Sequence, residues 1–279
     1  MDDARARTAE TPTPAGTGPG GEASGTARVS VLLLARDETR DLEELIPALA
    51  FAREVVVVWD PRGDPATRAA AERLGARVRE RTFDGFGAQR AFALAQCREE
   101  WVLWLDADER LDAAASASVR RVAADAVTGP THYRLARATW FLGRRIRFCG
   151  WQGETVVRLF RRTLARFDDR AVHETVRVEG VAGRLPGTIE HWSYRTFADC
   201  VDKCVRYAAA GAAAARARGR RGGLMDLVWR PPLRFLRQYV LQLGFLDGGH
   251  GFLLCALAAV QVFFKYAELA RGPDAAPRA

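Results

Sequence analysis

The sequence predicts an α/β domain, a mostly parallel central sheet flanked by helices, with a C-terminal helical extension. Three observations predict it. Short apolar runs at 29–34, 55–59 and 101–105 have the pattern of strands buried on both faces. The segments between them carry helical apolar spacing, as at Leu42, Leu45, Ile46 and Leu49. From Phe197 onward the pattern is helical, opening with an alanine-rich stretch from 208 to 217. Strand alternating with helix is the mark of a parallel sheet.

The elements follow in order. Residues 1–27 are rich in Thr, Pro, Gly and Ala and hold Asp2 and Asp3 but no apolar core. That composition predicts a disordered tail and no signal peptide. The first strand ends in Arg36-Asp37-Glu38, and a helix spans about 41–52. The second strand ends at Asp60, and a Pro/Gly loop leads to a helix over about 66–74. A third, short strand falls at 75–78, and Gly85-Phe86-Gly87 opens a helix running to about 97. The fourth strand ends in Asp106-Ala107-Asp108-Glu109. Residues 132–195 mix strand-like segments with Gly, Arg and aromatics. Two apolar helical stretches follow at 224–243 and 252–269, with Pro231-Pro232 interrupting the first. The expected organisation is therefore a tail at 1–27, an α/β domain at 28–195, a helical region at 196–271 and a second tail at 272–279.

Charge narrows the choice of partner. Of 279 residues, 42 are Lys or Arg and 34 are Asp or Glu, a formal charge of +8. Only Lys203 and Lys265 are lysines, so the arginine total reflects composition bias as much as function. Residues 199–279 hold 12 basic and 6 acidic side chains, so most of the surplus sits in the helical region. A basic amphipathic helix with Phe235, Leu236, Tyr239, Val240 and Leu243 on one stripe, and Arg230, Arg234 and Arg237 beside it, suits an anionic membrane surface. Packing of that stripe onto the domain is the plain alternative. No run reaches the roughly 18 apolar residues that span a bilayer; the longest, 252–264, contains Gln261. The five cysteines form no close Cys/His pairs, which excludes a zinc site of ordinary spacing and suits reduced thiols.

The chemistry lies where strands end, since ligands of open α/β sheets bind at the carboxyl edge. Asp37, Asp60 and the 106–109 cluster are expected to converge there. Asp106 and Asp108 are two apart, so on extended chain their carboxylates point the same way. Two hard oxygen ligands suit Mg²⁺ or Mn²⁺ shared with a diphosphate; a solvated acidic turn is the alternative. Asp60 suits a ribose hydroxyl or a base N–H, or simply starts a loop. No Gly-x-Gly-x-x-Gly follows the first strand, which argues against a dinucleotide. Glu174 is a candidate general base and His191 a candidate metal or phosphate ligand; a surface or core polar residue is the alternative for each. Arg158, Arg161 and Arg162 suit phosphate or a solvated strand edge.

Together these segments resemble family 2 glycosyltransferases. The resemblance rests on 29–38, 55–60, Phe83-Asp84-Gly85-Phe86-Gly87-Ala88-Gln89-Arg90, 101–109, Phe141-Leu142-Gly143-Arg144, Gly150-Trp151 and Val157-Arg158-Leu159-Phe160-Arg161-Arg162. It continues in Val172-His173-Glu174, His191-Trp192-Ser193-Tyr194 and Gly244-Phe245-Leu246-Asp247-Gly248, and it covers about residues 28–270. The subgroup it is most similar to is the lipopolysaccharide core glucosyltransferases that act on heptose. Asp37-Glu38 stands where that family usually has Asn-Glu, and Ala91 where it usually has Asn.

The resemblance implies a GT-A fold and inverting transfer of a hexose from a nucleotide-diphosphate donor of the UDP-sugar class. The acceptor would be a lipid-linked or cell-envelope saccharide, met at the cytoplasmic face of the inner membrane by a peripheral protein, with no nucleic acid partner. It implies nucleotide-sugar contacts from Asp37, Glu38, Asp60, Gln89, Arg90 and Asp106. It implies a Mg²⁺ or Mn²⁺ site at Asp106, Asp108 and His191, and a catalytic base at Glu174 or, second, Glu154. Two other classes compete. A sugar-1-phosphate nucleotidyltransferase needs a Gly-rich loop after the first strand, which Ala35-Arg36-Asp37 does not supply. A non-catalytic basic membrane- or RNA-binding protein explains the tail charge but not acids at successive strand ends.

Overall fold

The computed structural model describes residues 26–124, 129–167 and 176–271. Its first half alternates as the sequence predicts: β1 (Ala27–Ala35), α1 (Thr39–Ala48), β2 (Ala52–Trp59), α2 (Pro65–Arg73), β3 (Arg77–Glu80), α3 (Phe86–Gln96) and β4 (Trp101–Trp104). Next come β5 (Glu109–Leu111), α4 (Ala113–Ala124), β6 (His132–Phe141), β7 (Arg144–Arg145), β8 (Thr155–Arg161), β9 (Ala165–Phe167), β10 (Val176–Val178) and β11 (Ala182–Tyr194). Three helices close the chain: α5 (Phe197–Ala217), α6 (Leu224–Leu236) and α7 (Gly248–Ala270).

The main sheet has the order β3-β2-β1-β4-β8-β6-β11-β5, with β7 paired to β6. Strands β3, β2, β1 and β4 are parallel. Beyond β4 the sheet is mixed: β8 is antiparallel to both β4 and β6, β11 is parallel to β6, and β5 is antiparallel to β11. "Mostly parallel" thus holds for the first half only. The reason is connectivity. Helical crossovers join the early strands, whereas β6 returns through a tight turn in which Leu142 and Gly143 both have positive φ. Alternation along β1 sends Val29, Val31 and Leu33 into a core with α1 and α4, and Leu32 into a core with α3.

Some helix ends are written in the sequence. Asp64 caps α2 by accepting from the Ala66 N–H at 2.9 Å, with Pro65 in the first turn. Thr196 and Asp199 form a reciprocal capping box at the start of α5. The prolines behave otherwise than expected: α6 runs through Pro231 and Pro232 and ends at Leu236. A wide turn at Arg237–Leu241 and a short 3-10 turn at Gly244–Asp247 follow. All five cysteines are buried free thiols.

Segment Gly244–Ala270 corrects a second expectation. An 18-residue window within its 27 residues has a mean hydropathy of 1.6, so by length and composition it is apolar enough to cross a bilayer. Counting unbroken apolar residues missed this, because Gly, His250 and Gln261 interrupt the run without making its average polar. The helix is packed along α5 and α6.

Several contacts fasten the helical region to the sheet domain, among them a clamp around residues 147–149. The Asp247 carboxylate accepts from the backbone N–H groups of Arg147 at 3.1 Å and Phe148 at 2.8 Å. Gln238 Nε2 donates to the Cys149 carbonyl at 3.0 Å. At Gly251 a Cβ would fall 2.0 Å from the Gly244 carbonyl oxygen, so only glycine lets α7 start this close to the turn before it. Asp247→Ala strips two N–H groups of their charged acceptor and should cost about 3 kcal/mol in urea unfolding. Asp247→Asn, which keeps one acceptor oxygen, should cost less. Equal, negligible losses would show that the clamp is dispensable.

Candidate active site

Because β2, β1 and β4 are parallel neighbours, their carboxyl ends open on one edge of the sheet, and two cavities lie there. The first, about 410 Å³, is lined by Leu34, Glu38, Asp60, Phe86, Gln89 and Arg206 among others. The second, about 370 Å³, is lined by Asp41, Asp108, Trp192, Ser193, Lys203 and Arg206 among others. Leu34, Glu38 and Arg206 line both, so the two are compartments of one cleft.

In the first compartment Asp60 is buried, and Arg62 grips its carboxylate at 3.0 and 2.7 Å. That bonding holds the Asp60 carboxyl down at about 2, against the opposing pull of burial. Gln89 is 2% exposed; its Nε2 donates to the Arg81 carbonyl at 2.9 Å, while its Oε1 is buried with no partner among the described residues. Gln89 lines the cavity, and an unmet buried carbonyl oxygen there is an acceptor left for a ligand N–H. Asp37 and Glu38 serve the backbone. Asp37 Oδ1 accepts from the Asp64 N–H at 2.8 Å, and Glu38 Oε2 accepts from the Arg36 and Asp37 N–H groups at 2.6 and 2.9 Å. Both carboxylates thereby shape the loops around the cavity, and Glu38 also lines it.

The acidic segment after β4 is a turn, not extended chain. The Glu109 N–H closes it onto the Asp106 carbonyl at 3.0 Å. The two aspartates therefore take separate partners. Asp106 accepts from Arg158 Nη2 at 2.7 Å and lies 3.6 Å from Arg90 Nη2. Burial pushes its pKa up, but Arg158 and Arg90 overcome that and hold it below the usual carboxylate range. Glu109, fully buried, accepts from the same Arg158 Nη2 at 2.6 Å and from the Asp106 N–H at 3.1 Å. Burial raises the Glu109 pKa. The guanidinium groups of Arg158 and Arg90 lie 4.1 and 4.5 Å from the Trp104 ring centroid. Arg158 is thus neither a phosphate ligand at hand nor a solvated edge residue; it is the buried counter-ion of the turn.

Asp108 faces the second compartment. Strand β11, paired antiparallel to β5, sets His191 opposite Glu109. His191 Nε2 then lies 3.4 Å from Asp108 Oδ2, and the Trp192 N–H holds the Asp108 carbonyl at 2.9 Å. His191 Nδ1 is buried with no partner among the described residues. Among the described residues no group of three or more His, Cys, Asp or Glu is set to hold a metal. An Asp108–His191 pair still fits a divalent ion that takes its remaining ligands from a diphosphate and water. Asp106, spent on two arginines, fits such an ion less well.

The expected bases fare differently. Glu154 is forked by Arg137 at 2.5 and 3.1 Å and does not line the Asp108 compartment. Glu174 lies outside the described residues. Sequence reasoning missed Lys203, whose Nζ bonds Ser193, and Arg206. Both stand three apart on α5, and the capping box at Thr196 is the one local signal that a helix begins close to this cleft.

The Arg158 arrangement is testable. Arg158→Met leaves Asp106 and Glu109 without their shared cation and should cost about 3–5 kcal/mol in chemical denaturation. Adding Glu109→Gln should restore part of the loss. A cost below about 1 kcal/mol would contradict a buried, uncompensated charge.

The family model for glycosyl transferase family 2 matches residues 30–174. The chain is 27% identical over 263 residues to the lipopolysaccharide core biosynthesis glycosyltransferase LpsC of Rhizobium meliloti (strain 1021), covering 87% of this chain and 94% of that protein. It is 22% identical over 258 residues to the uncharacterized glycosyltransferase RT0209 of Rickettsia typhi (strain ATCC VR-144 / Wilmington), covering 87% of this chain and 86% of that protein. Among solved structures, glucosyl-3-phosphoglycerate synthase from Mycobacterium tuberculosis in complex with Mn²⁺, UDP and glucosyl-3-phosphoglycerate is similar with a TM-score of 0.37 and 20% identity, over 54% of this chain and 64% of that one. Acids at successive strand ends around a divided cleft now have their explanation: the chain belongs to glycosyl transferase family 2, with a GT-A fold, and is a glycosyltransferase.

Proposed function

We propose that the protein transfers a hexose, with inversion, from a UDP-sugar to a lipid-linked saccharide of the cell envelope. Lipopolysaccharide core is the acceptor class that the LpsC relative favours. The observation that carries this reading is the divided cleft, whose compartments share Leu34, Glu38 and Arg206. A nucleotide fits the first, with the Gln89 Oε1 accepting a base N–H and Asp60 at the ribose or base. The donor sugar reaches the second, beside Trp192 and Asp108. The diphosphate between them passes Arg206, which makes no ion pair among the described residues.

Asp108 and His191 would hold Mg²⁺ or Mn²⁺ there. When bound, the divalent ion neutralises charge growing on the departing diphosphate. The chain's own cations, Arg206 and Lys203, add to that field from α5. An acceptor hydroxyl attacks the anomeric carbon from the face opposite the diphosphate, and a carboxylate takes its proton. Glu174 is the proposed base.

The exposed apolar side of the helical region supports a peripheral seat on the cytoplasmic face of the inner membrane. Leu224, Met225, Trp229, Leu233, Leu236 and Leu241 are all more than half exposed. Arg230, Arg234, Arg237 and Lys265 line a groove beside them. Leucines flanked by arginines suit an anionic bilayer surface.

Purified protein with UDP-sugars, GDP-sugars and Mn²⁺ should release UDP, not GDP, when acceptor is added. Asp108→Ala should lower turnover on the order of 100-fold; full turnover would remove the role assigned to it. Glu174→Gln should bind donor normally yet transfer poorly. Undiminished transfer would move the base to Asp202, a carboxylate lining the second compartment. In flotation with anionic liposomes, Leu233→Asp with Leu236→Asp should weaken binding by at least about 2 kcal/mol. Unchanged flotation would remove the membrane seat.

A further inference from the structure

A third cavity, about 210 Å³, lies between α5 and the α6–α7 pair. Six of its wall residues matter: Trp151, Tyr194, Lys203, Tyr207, Arg234 and Gln238. Lys203 also lines the Asp108 compartment, and Arg234 also lines the groove beside the exposed apolar helix face. The cavity therefore shares one cation with the reaction cleft and another with the groove beside the apolar face.

Its interior is furnished for a polar ring. Trp151 and Tyr194 stack with centroids 6.0 Å apart and planes 20° apart, and Lys203 Nζ lies 5.1 Å from the Tyr194 centroid. Gln238 is 3% exposed, and its Nε2 bond to the Cys149 carbonyl fixes which way the amide points. Its Oε1 is buried and has no partner among the described residues. An unmet buried carbonyl oxygen is costly, and a hydroxyl donor would recover that cost. Among the described residues no carboxylate lines the cavity. An acyl chain would leave Gln238 Oε1 unmet and Arg234 without a partner among the described residues, while Lys203 keeps its bond to Ser193. A saccharide offers hydroxyl donors to Gln238 and C–H faces to the aromatic rings, and an anionic substituent meets Arg234 or Lys203.

We infer that this cavity is an acceptor subsite, walled by Trp151, Tyr194 and Tyr207, that takes a sugar unit bearing an anionic group, such as a phosphate ester. This rests on the glycosyltransferase reading only for the word acceptor; the binding claim stands on the cavity itself.

The test uses the full chain and two phosphorylated hexoses, mannose 6-phosphate and glucose 6-phosphate, with mannose and inorganic phosphate as comparators. The Trp151 indole N–H resonance, assigned with Trp151→Phe, reports occupancy. At least one hexose phosphate should shift it saturably, mannose should do so more weakly, and inorganic phosphate should not. Tyr207→Ala and Arg234→Gln, both at exposed side chains, should each weaken the apparent affinity about tenfold. No shift with either hexose phosphate, or a shift that both variants leave intact, overturns the subsite. Equal binding of mannose overturns the anionic preference. UDP titrated in parallel, followed at the Gln89 side-chain amide, reports the donor reading separately. UDP binding without hexose phosphate binding sinks the subsite alone, and the reverse pattern sinks the donor assignment alone.

Discussion

The interaction on which most else depends is the buried ion cluster of Arg158 with Asp106 and Glu109. Arg158 comes from β8, the first antiparallel strand; the two acids come from the turn after β4, the last of the parallel set. One guanidinium thus bolts together the parallel and mixed halves of the sheet. It also freezes the turn that aims Asp108 into the cleft. Removing charges from water is costly, and such a cluster persists only when nearly every donor and acceptor is met. Here Glu109 is met on both oxygens and Trp104 offers its ring face to the two flanking guanidinium groups, while Arg158 Nε and Trp104 Nε1 are buried with no hydrogen-bond partner among the described residues. The geometry of the acid turn is the return on that desolvation.

Much of the first half was legible in the sequence because its strands are buried on both faces. Such strands read as unbroken apolar runs, and the acids that end them stand out. Asp60 and Asp108 were found for that reason, and both line the cleft. What stayed hidden depends on distance along the chain. Arg158 lies 52 residues from Asp106 and 49 from Glu109, and nothing local marks an arginine as a counter-ion. Lys203 and Arg206 sit on α5, far from the strand ends they face. The mixed second half was blurred because half-buried strands and hairpins share composition with loops. The extended-chain rule failed at Asp106 and Asp108 because a turn redirects the backbone after Leu105. Pro231 and Pro232 misled because a helix with support from α7 tolerates what an isolated helix does not.

The helical region is part of the site rather than an appendage. Arg206 of α5 stands at the junction of the two compartments, and Lys203 one turn earlier borders both the Asp108 compartment and the third cavity. Burial lowers the Lys203 pKa while the nearby Asp108 opposes that shift, which couples the ammonium to the acid turn electrostatically. The basic surplus noted in the composition therefore divides between two jobs. Some of it serves the cleft, and the rest, at Arg230, Arg234, Arg237 and Lys265, borders the apolar face.

The clamp at Asp247 has one more consequence. It fastens α7 to backbone N–H groups in the loop that follows β7, and Gln238 adds a second tie one residue further on, at Cys149. Two ties at neighbouring points suppress rotation as well as separation. The apolar side of α6 and the mouth of the cleft are thereby held at one angle. The molecule has a built-in top and bottom, and any flat surface it rests on would meet the cleft in a single orientation.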